Sequence, residues 1–123
     1  MERLYREWSA RVGFLMVYIL EAHPSDEWQM TSNVEQGVVF EQPKSEAARK
    51  EAAGACCTRL KVSMPCVVDS LDNAVDTAYA AFPERLFVVG ADGRIAFVTE
   101  QGPWGYRPEL LEGWLLEHAQ RIP

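Results

Sequence analysis

The chain has 123 residues, 48% of them hydrophobic, which is enough for one modest core and too apolar for a disordered chain. A net charge of −6 disfavours nucleic acid or an anionic membrane as partner. The longest apolar run is too short to span a bilayer and has no signal peptide before it, and three cysteines without framework spacing favour reduced thiols in a cytoplasm.

In chain order, Met1, Leu4, Tyr5, Trp8 and Val12 share one helical face, so residues 1–11 read as an amphipathic helix ended by Gly13. Residues 14–20 form an apolar run rich in Val, Ile, Phe and Tyr, the pattern of a buried parallel strand. Residues 21–44 read as a long irregular stretch, with 37–40 as a short extended piece within it. Ser45 is placed to cap an alanine-rich helix running to about Leu60, in which Gly54 costs about 1 kcal/mol relative to Ala. Pro65 opens a strand over 66–68, and Ser70 or Asp72 caps a helix through Ala80. Strands over 85–89 and 95–99 flank an Ala91-Asp92-Gly93 turn. Pro108 then begins a last helix whose buried face is Leu110, Leu111, Trp114 and Leu115.

Chemistry concentrates where the first strand ends. Ligands in open α/β sheets gather at the carboxyl ends of strands, and Glu21 and His23 sit just there. Two apart on an extended backbone, a carboxylate and an imidazole face the same side and can relay a proton. The bland reading makes His23 a loop residue and Glu21 a solvated carboxylate. Cys56 and Cys57 are helix neighbours pointing about 100° apart, so a disulfide between them is disfavoured. No metal-ligand spacing links the cysteines to His23 or His118, and no metal is expected.

Glu21-Ala-His-Pro-Ser-Asp-Glu-Trp28 after a Val-Tyr-Ile strand resembles the signature of the iodothyronine deiodinase family, including bacterial deiodinase-like members. Val67-Val68-Asp69 with Asn73 and Ala78-Tyr79, Pro83-Glu-Arg-Leu86 and Gly102-Pro-Trp-Gly-Tyr106 match later family segments in the same order. The resemblance spans nearly the whole chain. It implies an α/β, thioredoxin-like single domain over 1–123, with a central mixed sheet flanked by helices. The implied chemistry is reductive dehalogenation of a halogenated aromatic by a thiolate or selenolate, with an external thiol reductant and no bound cofactor. It implies Glu21 and His23 as the catalytic pair, Ser25 and Trp28 at the pocket edge, and Cys66 as a candidate resolving thiol, against the alternative of a small core residue. Pro83, expected cis, faces the active-site turn in such folds. Gln42 and Gln101 stand where vertebrate relatives carry a histidine and, in one of them, an arginine, which disfavours thyroid hormone itself as substrate. Trp28, Trp104 and Tyr106 could line an aromatic slot, against the alternative of core or rim packing.

The same resemblance implies that the first core strand and its Sec/Cys turn are missing, since no Cys precedes Cys56. A central strand removed from a sheet strands ladder groups at about 1–3 kcal/mol each, against total stabilities of about 5–15 kcal/mol. The expectation is that the flanking strands pair directly, that a second chain in a homodimer covers them, or that the natural chain begins further upstream. Three functional readings follow: a deiodinase-like dehalogenase or thiol oxidoreductase inactive without its nucleophile, a non-catalytic thioredoxin-like binding or assembly module, or an enzyme using Cys66 with His23.

Overall fold

Two short strand pairs organise residues 1–25 and 30–118, the residues described by the computed structural model. The elements in order are α1 (Glu2–Trp8), β1 (Met16–Tyr18), α2 (Thr31–Glu35), α3 (Glu46–Arg59), β2 (Cys66–Val68), α4 (Ala74–Tyr79), β3 (Phe87–Val89), β4 (Ile95–Val98) and α5 (Pro108–His118). They fall into two compact units, residues 15–79 and residues 1–14 with the chain from Ala80 onward. The architecture is mixed α/β. Among the described residues, the expected single central sheet is instead two two-stranded sheets, β1 with β2 and β3 with β4.

In the unit of residues 15–79, β1 and β2 run parallel, with Met16 opposite Cys66, Val17 opposite Val67 and Tyr18 opposite Val68. Parallel strands need a long crossover, and here it carries α2 and α3. The short helix α2 lies inside the stretch read as irregular; five residues with no buried side chain leave no apolar period to read. Residues 37–40 form no strand, yet the Phe40 carbonyl accepts the Ser25 N–H at 2.8 Å.

Helix α3 follows its sequence closely. Ser45 is extended, and its hydroxyl accepts the Ala48 N–H at 3.1 Å, satisfying one orphan donor of the first turn. Arg49, Ala52 and Ala53 form its buried face. Arg49 is only 2% exposed; its Nη1 donates to the Ser70 carbonyl at 2.6 Å, to Asn73 Oδ1 at 2.9 Å and, more weakly, to the Asp69 carbonyl at 3.4 Å.

Asp69, also 2% exposed, directly follows β2 and serves as the cap expected of Ser70 or Asp72. Its Oδ1 accepts from Ser70 N at 2.9 Å and Val75 N at 3.0 Å, and its Oδ2 accepts from Asp76 N at 2.9 Å. The physical reason is the left-handed turn at Asn73 (φ 56°), a conformation Asn tolerates, after which the first N–H groups of α4 meet the Asp69 carboxylate. The Ser70 hydroxyl is occupied with Asp72 instead.

The other unit is built on α1 and α5. Leu4, Trp8, Leu111 and Leu115 form its core, with Phe14, Leu86, Val88, Phe97 and Trp114 packed around them. Leu110, expected in that face, is 44% exposed: it sits one position off the Leu111–Leu115 stripe. Helix α1 stops at Trp8, and a turn in which Arg11 N and Val12 N donate to the Trp8 carbonyl at 2.9 and 2.8 Å carries the chain on to Gly13. The β3–β4 hairpin closes through Gly93 (φ 77°), with Gly90 N donating to Arg94 O at 2.8 Å. Thr99, 3% exposed, extends the pairing by exchanging bonds with Leu86 at 3.0 and 3.1 Å.

Removing the Asp69 carboxylate leaves three N–H groups and a buried guanidinium without their acceptor or counter-charge. Asp69→Ala is expected to lower unfolding free energy by about 3 kcal/mol or more, and Asp69→Asn, which keeps one acceptor, by less. Urea denaturation of the two variants measures both, and equal stability of Asp69→Ala and the parent refutes the role.

Candidate functional site

Strand β1 ends at Tyr18, and Glu21 follows on a loop tied back into the unit. The tie is Gln42: its Nε2 donates to the Glu21 carbonyl, and its Oε1 accepts the Glu21 N–H, both at 3.2 Å. This paired amide bridge fixes the backbone of Glu21 without adding charge. The Asp69 N–H donates to the Tyr18 carbonyl at 2.8 Å, so the chain enters this loop from a ladder held on its other side by the buried Arg49–Asp69 assembly.

Burial pushes the Glu21 carboxyl up to about 7, and the positive charge of Arg49 opposes that shift without cancelling it. A carboxyl poised there holds a proton near neutral pH and can give it up, which a solvated glutamate cannot do. His23 lies two residues on, partly buried, but the chain bends at Ala22 and His23, so the extended backbone that would put both side chains on one face is not formed. Pro24 is buried and Ser25 exposed, anchored through its N–H on Phe40. Trp28 lies outside the described residues.

An open groove of about 460 Å³ runs beside α3, lined by Phe40, Gln42, Lys44, Glu51 and Arg59 among others. The Arg59 guanidinium stands 5.3 Å from the centre of the Phe40 ring and donates to the Gly37 carbonyl. Gln42 thus both borders the groove and holds the Glu21 backbone.

Cys66 starts β2, partly buried, and its thiol donates to the Val67 carbonyl at 3.5 Å. Burial first, then the nearby Cys57 and Cys56 thiols, push it up to about 11. Cys56 is pushed up by burial, by Cys57 and by Glu21, against Arg59. Among the described residues no His, Cys, Asp and Glu group has the arrangement of a metal site.

Pro83, Gln101 and Trp104 belong to the other unit. The Phe82–Pro83 peptide is cis, as is Gly102–Pro103. Gln101 Nε2 donates to the Phe82 carbonyl at 2.9 Å, so this side chain braces the turn before Pro83. Trp104 is 90% exposed and lines no slot within its own unit.

Arg49, Asp69 and Cys57 are the contributors that the sequence reading passed over. Arg49 was detectable: it shares the i, i+3, i+4 stripe with Ala52 and Ala53, where a charge on the buried face of an alanine-rich helix signals a buried partner. Cys57 carried no signal, because its partner is made by the return of the chain.

The iodothyronine deiodinase family model matches residues 1–119. A type I iodothyronine deiodinase of Xenopus laevis is 36% identical over 107 residues, 87% of this chain and 40% of that protein. Thyroxine 5-deiodinases of Sparus aurata and Gallus gallus are 34% and 33% identical over 122 and 121 residues, each covering 98% of this chain and 43% and 45% of theirs. The chain thus spans less than half the length of these relatives. No helix among the described residues is long and apolar enough to cross a membrane. With a family match over nearly its full length and relatives above 30% identity, the chain belongs to the iodothyronine deiodinase family.

Proposed function

We propose that this chain supplies the proton-donating part of a deiodinase-type reductive dehalogenation of a small iodinated aromatic compound. In such a step a thiolate or selenolate takes the halogen, the ring carbon keeps the bond pair, and a proton replaces the halogen. An external thiol then reduces the chalcogen–halogen bond and releases halide. The observation that carries the reading is the Glu21 carboxyl at the end of β1, held by Gln42 and pushed up to about 7 by burial.

In this reading Glu21 protonates the ring carbon and His23 returns the proton from solvent. Ser25 and Trp28 form the pocket edge, and Pro83, Gln101 and Trp104 contribute by their family positions. The neutral amides of Gln42 and Gln101 favour a neutral or differently substituted ring over thyroid hormone. The two units act as one thioredoxin-like domain in the cytoplasm; the parallel β1–β2 pair and the β3–β4 hairpin followed by α5 support that architecture. No Cys precedes Cys56, and the Cys66 thiol is held protonated, so the attacking chalcogen comes from outside these elements. The 123 residues alone are expected to turn over little or nothing with a dithiol reductant.

Joined to a segment carrying a strand and a cysteine turn, the chain is expected to release iodide from an iodinated phenol in the presence of dithiothreitol. Glu21→Gln and His23→Ala each lower kcat by about a hundredfold or more. The parent rate falls above about pH 7 as Glu21 loses its proton, and Glu21→Gln loses that limb. Unchanged turnover in both variants overturns the relay, and no iodide release from the joined chain favours a non-catalytic binding module.

The same carboxyl makes stability depend on pH. Its folded proton affinity lies above the ordinary 4.5, at about 7, so the folded state binds more protons between those values. Stability is therefore highest below pH 4.5 on this account and declines as pH rises through 7. Each tenfold change in proton affinity is worth about 1.4 kcal/mol; discounted for solvent screening of a partly exposed group, the decline is about 1–2 kcal/mol. Denaturation of the parent and Glu21→Gln at pH 5 and 8 measures it, and parallel behaviour of the two proteins removes Glu21 as the source.

A further inference from the structure

All three cysteines of the chain meet in the unit of residues 15–79. Cys56 and Cys57 lie near the end of α3, and Cys66 is the first residue of β2. Between them the chain reverses tightly. Leu60 N donates to Cys56 O at 2.9 Å, Lys61 adopts φ 53°, and Val62 N returns to Cys57 O at 2.9 Å. The next residues carry the backbone back along the helix to Pro65, whose carbonyl accepts Met16 N at 2.8 Å and starts the ladder. This reversal sets Cys66 at the start of β2 beside the end of α3, close enough for the Cys57 thiol to act on the Cys66 thiol. Cys56, a helix neighbour of Cys57, lies among the charges of Glu21 and Arg59.

We propose that Cys57 and Cys66 form a redox-active dithiol, which a small disulfide such as oxidised glutathione converts into an intramolecular disulfide, leaving Cys56 as a thiol. The Cys57 thiolate attacks one glutathione sulfur, breaks the glutathione S–S bond and releases one glutathione thiolate. Cys66 gives up its proton and displaces the second glutathione from Cys57, forming the Cys57–Cys66 bond. Two electrons pass to glutathione disulfide, and the two protons leave on two glutathione thiols. Cys66, held protonated, is a poor first nucleophile, which assigns the opening attack to Cys57. A thiol that resists ionisation is also a poor leaving group, so the closed bond resists thiol exchange. Both residues are partly exposed, within reach of a small oxidant. The bond fastens the end of α3 to the start of β2, independently of any dehalogenation.

The test is incubation of the purified chain with oxidised glutathione, followed by thiol titration, intact mass and tryptic mapping, for which Arg59 and Lys61 supply cleavage sites between the two sulfurs. Free thiols are expected to fall from three to one, with loss of two hydrogens and a Cys57–Cys66 cross-link. Cys56→Ser retains the cross-link. Cys57→Ser and Cys66→Ala, each verified as folded by circular dichroism, acquire glutathione adducts only. A parent chain that loses no hydrogens, whether its thiols stay free or each carry glutathione, overturns the proposal. So does a cross-link that includes Cys56. If the single variants do not fold, the parent's mass and peptide map decide alone.

Discussion

The buried Arg49–Asp69 assembly is the constraint on which the unit of residues 15–79 depends. Neither charge reaches water, so each must be satisfied inside the protein. Asp69 meets this need with three backbone N–H groups, and Arg49 meets it through Nη1 alone, with carbonyls of the Asp69–Ser70 turn and the Asn73 amide, its buried Nε having no acceptor. Burial alone would raise the Asp69 carboxyl; the N–H groups of Asp76, Val75 and Ser70 and the Arg49 charge outweigh it and hold the carboxyl below its ordinary range. One residue pair thus fixes the end of β2, the start of α4 and the buried face of α3. Because Asp69 N also holds the Tyr18 carbonyl, the pair reaches the end of β1, three residues before Glu21.

That arrangement explains why Glu21 is neither an ordinary surface carboxylate nor a fully neutralised one. Burial disfavours its charge, while Arg49, already committed to the Asp69 turn, supplies only a partial counterweight. Gln42 could have tipped the balance. A cation at that position would stabilise the carboxylate and return Glu21 toward the usual acidic range. A neutral amide binding the backbone instead gives positional control with no electrostatic offset. Charge is kept at a distance, position is fixed at close range, and the carboxyl is left poised near neutrality.

The parts of this fold legible in the sequence are those decided locally. Ser45 declares its helix, Pro65 marks the start of β2, and Gly93 marks the hairpin turn, because each restricts its own backbone. The parts that were not legible depend on chain return. Asp69 replaces the nearer Ser70 and Asp72 as cap only because Asn73 turns left-handed. Leu110 leaves the core because α5 presents the Leu111–Leu115 stripe to Leu4 and Trp8. Glu21 and His23 were legible as a pair of suitable groups at a strand end; the bend at Ala22 and His23, which changes how they relate, was not.

Proton chemistry and sulfur chemistry share this unit, and they constrain each other through Cys66. A resolving thiol must present a free sulfur to an oxidised nucleophile, and that sulfur must ionise to attack. Cys66 is instead engaged by Cys57 and pushed up to about 11, so its opening reactivity is low while both thiols are reduced. Closing the Cys57–Cys66 bond removes the free thiol altogether. On the proposed pairing the two roles exclude each other, and the redox state of the pair would decide whether Cys66 can serve as a resolving thiol. Glu21 is coupled to the same cluster through Cys56, whose thiol is held protonated in part by the Glu21 charge. Ionisation of the acid and ionisation of the neighbouring thiol oppose one another, so the site favours one negative charge over two. Burial, opposed by Arg49, leaves the Glu21 carboxyl at about 7, while the Cys56 thiol is pushed above its ordinary range, so the carboxyl takes that single charge before the thiol does.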